Sequence, residues 1–368
     1  MTVPVASVGG MTSQHPAFDS PEFGHHPDFD LTRPGALIAA LPAMLGFTPE
    51  NSLILVTVAR GEIGAVLRAD LSSELIDGLD SLVNVAAAAY PDAALAIIVD
   101  PEGALCPMCV DEHRRLCSTL ADELGAHDIL LRSAHIVDRV SAGGRWHCVD
   151  GCGSRGIVDD PESSPVALAA VLDGRRLYGR RADLLAVISV DDQQRCRRLA
   201  EAIEALQQGG GDSGDRTRGV VEDGLAAVER IVAGAALSDA EIAVLAHGLS
   251  DVQARDTLYA LAVGERADAA ETLWAALSRC LPEPWRVEVL VQLAFCAYVR
   301  GDGPLAGLSL EQALCIDPGH RMAGLLDDAL QRGLRPEDIR KLAQTGYRLA
   351  RELGVELPAR RTFGQRAG

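Results

Sequence analysis

The chain has 368 residues, 48% of them hydrophobic, and a formal charge of -18. That length and apolar content supply two domains of ordinary size, each with its own core. The negative field repels phosphate backbones and anionic headgroups, which argues against a nucleic-acid or membrane partner.

Residues 1–30 hold Pro4, Pro16, Pro21 and Pro27 with His15, His25 and His26, and have neither a basic start nor an apolar stretch. They are expected to be a disordered tail and not a signal peptide. No run of eighteen apolar residues occurs anywhere, so no membrane span is expected, and the expected location is cytoplasmic. In that compartment the nine cysteines are expected to be mostly reduced.

An α/β domain is expected over residues 31–190. Pro34 sets the first turn of a helix that carries Leu37, Ile38, Leu41, Met44 and Leu45 and stops at Gly46, with Pro49 forbidding continuation. Ser52 to Ala59 is a β-branched run and reads as a strand; after a turn at Arg60 to Gly64, Ala65 to Leu71 returns as its hairpin partner. Leu75 to Tyr90 reads as helix, Ala93 to Val99 as a buried strand and Val110 to Leu124 as helix. Leu130 to Val140 and Arg145 to Val149 make a second hairpin around Ala142-Gly143-Gly144. The order α-ββαβαββ calls for a mixed sheet with helices on its faces.

After Asp191 a helical period takes over, interrupted by the Gly209 to Asp215 run, whose composition is that of a flexible loop. An all-α helical domain is expected over 191–355, with helices near 218–234, 238–249, 252–264, 267–280, 286–300, 304–316, 320–332 and 336–353, and a flexible tail over 356–368. Within it, residues 285–318 follow the register of a tetratricopeptide helix pair. Ala294 and Ala306 let two helices approach, Gly301 permits the left-handed turn, Leu290, Leu293, Leu310 and Leu314 fill the seam, and Pro318 ends the second helix. Such a hairpin is a contact element, or it packs internally; true arrays need about three repeats.

The blocks Pro34 to Leu37, Leu45 to Leu53 and Leu67 to Leu71, with Arg145-Trp146 and Gly301 to Pro318, resemble an actinobacterial family known as domain of unknown function 4192. The chain departs from that pattern at Cys148 to Gly156, where such proteins are richer in adjacent cysteines followed by proline. The resemblance implies an architecture; the family has no assigned chemistry.

Two groups of residues carry candidate chemistry. Cys106 and Cys109 open a helix on which His113 and Cys117 follow at steps of four, and Cys148 and Cys152 lie at the end of the second hairpin beside His147. Two thiol pairs on separate elements can form a structural zinc site. Alternatively, Cys106 and Cys109 are a redox pair whose thiolate the helix N-terminus stabilises, or the cysteines pack as small core residues. Among the charged residues, Arg68 and Asp70 share one strand face, as a structural ion pair or a substrate-facing one. Asp100 and Asp138 end two strands, where carboxylates cap turns or, at the carboxyl edge of a sheet, serve as metal ligands or as general acid and base. The sequence therefore points to a protein-interaction or regulatory module with a protein partner, with a metal-assisted hydrolase using Arg68, Asp70, Asp100 and Asp138 as the alternative.

Overall fold

The computed structural model describes residues 3–5, 33–72, 74–88, 90–172, 176–208, 216–332 and 334–361. Two compact units divide the chain, Met1–Arg181 with Gln331–Gly333, and Ala182–Leu330 with Leu334–Gly368.

The first unit is built on a sheet of seven strands: β1 (Val3–Val5), β2 (Ser52–Ala59), β3 (Glu62–Asp70), β4 (Ala93–Val99), β5 (Leu130–Val137), β6 (Arg145–Cys148) and β7 (Arg155–Ile157). Their order across the sheet is β1-β3-β2-β4-β5-β6-β7. Only β4 and β5 run parallel; every other neighbouring pair is antiparallel. The parallel step needs a crossover, supplied by helix α3 (Pro107–Gly125). Strands β2 and β4 are central and covered on both faces, which is why they read as continuous apolar runs with no alternation.

Helix α1 (Pro34–Leu45) begins at a proline and ends at Gly46, whose φ of 77° is the left-handed stop expected of glycine. Helix α2 (Leu79–Ala87) and α3 pack on the face made by Leu53, Leu55, Leu67, Ala69, Ala94, Ala96, Ile98 and Ile136. Helix α4 (Pro165–Leu172) meets α1 through Ala43, Ala167 and Ala170, small residues that allow close approach.

This unit departs from the sequence reading at helix α4, for which no helix was expected, and at three places in the sheet. Residues 3–5 are an edge strand paired to β3, while the rest of the expected N-terminal tail lies outside the described residues. Strand β7 pairs with β6 beyond the second hairpin. Arg60 and Gly61 alone make the β2–β3 turn, with φ of 55° and 83°, so β3 begins at Glu62.

After the short helix α5 (Arg181–Ala186), the helical region runs through α6 (Gln193–Gln208), α7 (Arg216–Val232), α8 (Asp239–Gly248), α9 (Val252–Leu258), α10 (Ala267–Cys280) and α11 (Arg286–Arg300). It continues through α12 (Gly303–Ile316), α13 (Arg321–Gln331), α14 (Pro336–Arg340) and α15 (Ala343–Glu352). The expected loop at Gly209 to Asp215 lies outside the described residues.

The hairpin of α11 and α12 turns at Gly301, φ 89°, and Asp302 caps α12 by accepting from the Leu305 N–H at 3.1 Å. Its seam residues Ala294, Ala306, Leu290, Leu293 and Leu310 are fully buried, with Trp274 and Phe295 among the largest core side chains. The hairpin is thus part of the core of the helical unit.

The expected tail at 356–368 is fastened as far as it is described. Tyr347 donates to the Pro358 carbonyl at 2.9 Å, the Glu265 N–H donates to Ala359 O at 2.9 Å, and the Arg361 N–H donates to Val263 O at 2.8 Å. Residues 362–368, with Arg366, lie outside the described residues.

Candidate functional site

The parallel crossover places chemistry at the carboxyl ends of β4 and β5, the edge at which α/β sheets commonly bind ligands. Asp100 follows β4, and its Oδ1 accepts from the N–H groups of Gly103 at 2.7 Å and Glu102 at 3.1 Å. This is a side-chain-capped turn. Its other oxygen meets His113 Nε2 at 2.8 Å, so one carboxylate ties the loop after β4 to the first turns of α3. Gly103 is required there, because a Cβ would lie 1.9 Å from Asp100 Oδ2 and 3.1 Å from the Cys109 Cβ.

That loop delivers Cys106 to the N-cap of α3, with Pro107 in the first turn. Both Cys106 and Cys109 are half-buried. The amide of Cys109, then the Cys109 thiol and the amide of Met108, favour the charged form of Cys106 and lower its pKa below the ordinary thiol range. Cys109 moves the other way, mainly because its proton is engaged by Cys106, with burial adding to the effect. The pair is therefore unequal: one thiol is shifted toward ionisation and its neighbour away from it.

Cys148 and Cys152 form a second group. The Cys148 thiol donates to Asp150 Oδ1 at 2.7 Å and the Cys152 N–H donates to the same oxygen at 3.1 Å. Burial, followed by the contacts with Asp150 and Cys152, pushes the Cys148 thiol up to about 12. Hydrogen bonds from Cys148 and from the Cys152 N–H hold Asp150 below the usual carboxylate range.

The structure does not gather the two expected thiol pairs into one cluster. Among the described residues, the metal-capable group is Cys148, Asp150 and Cys152, and neither Cys106 nor Cys109 joins it. Strand alternation supplies the reason. Ile136 and Val149 belong to the core beneath α3, so His135 and its cross-strand partner Cys148 point to the opposite face, where His135 meets Trp146 edge-on at 5.1 Å. His147 has the opposite parity to Cys148. Its imidazole is held below its ordinary pKa by burial and then by the nearby His113 ring.

Of the carboxylates expected for hydrolysis, Asp100 and Asp138 directly follow the paired residues Val99 and Val137 of adjacent parallel strands, whereas Asp70 lies on another face. Arg68 is buried, hydrogen-bonds Asp70 through Nη2, and lies 5.8 Å from the centre of the Phe47 ring. Because Leu67 and Ala69 face α2 and α3, Arg68 and Asp70 occupy the other face from the Asp100–His113 pair. Asp138 accepts from the Arg145 N–H at 2.8 Å and pairs with Arg139 at 3.0 Å, which is the work of a hairpin-closing residue. Two functional residues had no reading as partners in the sequence. His113 read as the residue following Cys109 by four on the helix and proves to be the partner of Asp100, and Asp150 lies unmarked between two cysteines.

The fold and site define a two-unit protein: a mixed α/β sheet with paired thiols near its carboxyl edge, followed in sequence by an α-helical unit. The chain belongs to the family described as Domain of unknown function (DUF4192), whose profile matches residues 34–337. No curated protein and no solved structure matches it. No helix among the described residues is long and apolar enough to cross a membrane.

Proposed function

We propose that this is a regulatory protein acting by dithiol–disulfide exchange at Cys106 and Cys109 with a disulfide on a protein partner. The observation that carries the reading is the position of Cys106 at the N-cap of a nineteen-residue helix, with Cys109 in the first turn of the same helix. A C-x-x-C pair in this setting combines an attacking thiolate with an adjacent resolving thiol.

In the exchange, the Cys106 thiolate attacks one sulfur of the partner disulfide. A mixed disulfide forms and the partner's other sulfur leaves as thiolate. Cys109 then gives its proton to solvent and attacks Cys106 Sγ, releasing the second partner sulfur. Two electrons pass to the partner, whose disulfide becomes two thiols, and Cys106 and Cys109 end as a disulfide. Asp100 acts as a positioning residue by fixing the turn that leads into Cys106.

The test equilibrates the full chain in buffers of reduced and oxidised glutathione, traps free thiols by alkylation and locates disulfides by peptide mass spectrometry. The expected product is a reversible Cys106–Cys109 disulfide, with C109S accumulating a mixed disulfide at Cys106. Modification confined to the exposed Cys152 and Cys315, with Cys106 and Cys109 remaining thiols under oxidising conditions, overturns the reading.

A further inference from the structure

A second site lies in the β6–β7 turn, apart from the exchange pair. We propose that Cys148, Asp150 and Cys152 bind one zinc ion, with water in the fourth position. The Sγ atoms of the two cysteines and a carboxylate oxygen of Asp150 all lie within 4.8 Å of one another. A tetrahedral zinc with bonds of about 2.0–2.3 Å keeps its ligand atoms roughly 3.5–3.8 Å apart, so side-chain rotation alone reaches the coordinated geometry.

The turn that presents these ligands is held by backbone structure. Gly151 and Gly153 adopt φ of 74° and 84°, the Cys148 N–H donates to Ser154 O at 2.9 Å, and β6 and β7 pair from Arg145 with Ile157 to His147 with Arg155. Alternate residues of the segment 148–152 therefore converge on one point while the intervening Val149 is buried in the core. A cation also suits the chemistry of the cluster, since the carboxylate that now accepts from the Cys148 thiol and the Cys152 N–H would join both sulfurs as ligands around one positive centre.

His135 is an independent observation. The residue is 6% exposed, it is the cross-strand partner of Cys148, and its Nδ1 has no hydrogen-bond partner. A buried orphan nitrogen beside the turn is the kind of group that hydrogen-bonds a metal-bound water.

The donor set identifies the ion class. Two soft sulfurs with one carboxylate suit zinc and exclude magnesium and calcium, which take all-oxygen shells. Three protein ligands with one open position describe a zinc centre accessible to solvent, unlike a closed four-thiol structural site.

The experiment loads the full-length protein with zinc under a non-thiol reductant, removes excess metal on a chelating resin and measures bound zinc by mass spectrometry. Wild type and the C106S/C109S double variant are expected to retain about one equivalent per chain, and C152S to retain less than roughly a tenth of that. Cys152 is exposed, so C152S is expected to keep the wild-type far-UV circular dichroism. Cobalt titration of the wild type gives a readout that does not depend on any variant folding: a tetrahedral spectrum with a thiolate charge-transfer band supports the site. The proposal is overturned by wild type that retains no zinc, by C152S that retains as much as wild type, by loss of zinc in C106S/C109S, or by a cobalt spectrum without thiolate character.

Discussion

Replacing Arg300 by methionine tests whether the α11–α12 hairpin is core or contact surface. The Arg300 guanidinium bonds Glu271 through Nε at 2.9 Å and Nη2 at 3.0 Å, and Asp302 through Nη2 at 2.9 Å. The three side chains are 15%, 6% and 2% exposed, and Asp302 also caps α12. They form a desolvated cluster that joins α10, α11 and the start of α12. Methionine keeps most of the volume and removes the charge, leaving two carboxylates buried without their cation. Breaking a buried ion pair from one side costs about 3–5 kcal/mol. In a unit of this size each kcal/mol lowers Tm by roughly 2–4 °C, so the transition of the helical unit should fall by about 6–20 °C. The control is Arg348→Ala, which breaks an i,i+4 pair with Glu352 whose partners are 55% and 52% exposed and which is worth at most about 1 kcal/mol. Thermal melts followed by circular dichroism at a helix wavelength, fitted with one transition per unit, measure both. An R300M shift no larger than that of R348A would refute the burial argument and return the hairpin to the surface.

Three further outcomes follow from the α/β unit. Cys106 should be alkylated at lower pH than Cys109: a depressed pKa puts thiolate on Cys106 below the ordinary thiol range, while the raised pKa of Cys109 delays its reaction. Peptide mass spectrometry after pulsed alkylation across a pH series checks the order, and equal profiles would count against the unequal pair. Gly103→Ala should push Asp100 off its turn, because the added Cβ collides with Oδ2; a lost Asp100–His113 contact should appear as a shifted His113 imidazole resonance and a Cys106 alkylation profile closer to that of Cys109. Gly35→Ala should destabilise the first unit by about 1–3 kcal/mol, since its Cβ would lie 2.4 Å from the Ile157 carbonyl, a backbone atom of β7 that cannot rotate aside. Denaturant unfolding measures it, and a change within error would mean that α1 and β7 are not held in contact.

The sequence was most legible where one physical rule acted alone. Strands β2 and β4 are apolar from end to end because both faces are covered, and their bounds follow from where that run starts and stops. Helix α1 was readable from Pro34 and Gly46. The missed elements lack such signals. Strands β1 and β7 have three residues each, too few for a period, and one contains proline and the other glycine. Helix α4 is almost wholly apolar, so its sequence shows no polar face to reveal a helical period.

Site residues were legible by type and illegible by direction. A pair of cysteines announces itself in sequence, but which face of a sheet receives it depends on the parity of a strand register, and parity changes with a single residue of hairpin length. Cys148 and His147 are neighbours in the chain, yet the register that sets Cys148 against His135 sets His147 against Ile136. Cys148 is thereby turned away from α3, and His147 is turned toward His113 on that helix. The same rule separates Asp70 from Asp100, although both end strands at one edge of the sheet. Chemistry is thus divided between two places: Cys106 and Cys109 at the start of α3, and, turned away from that helix by the strand register, a segment whose cysteines find a carboxylate, Asp150, within their own five residues.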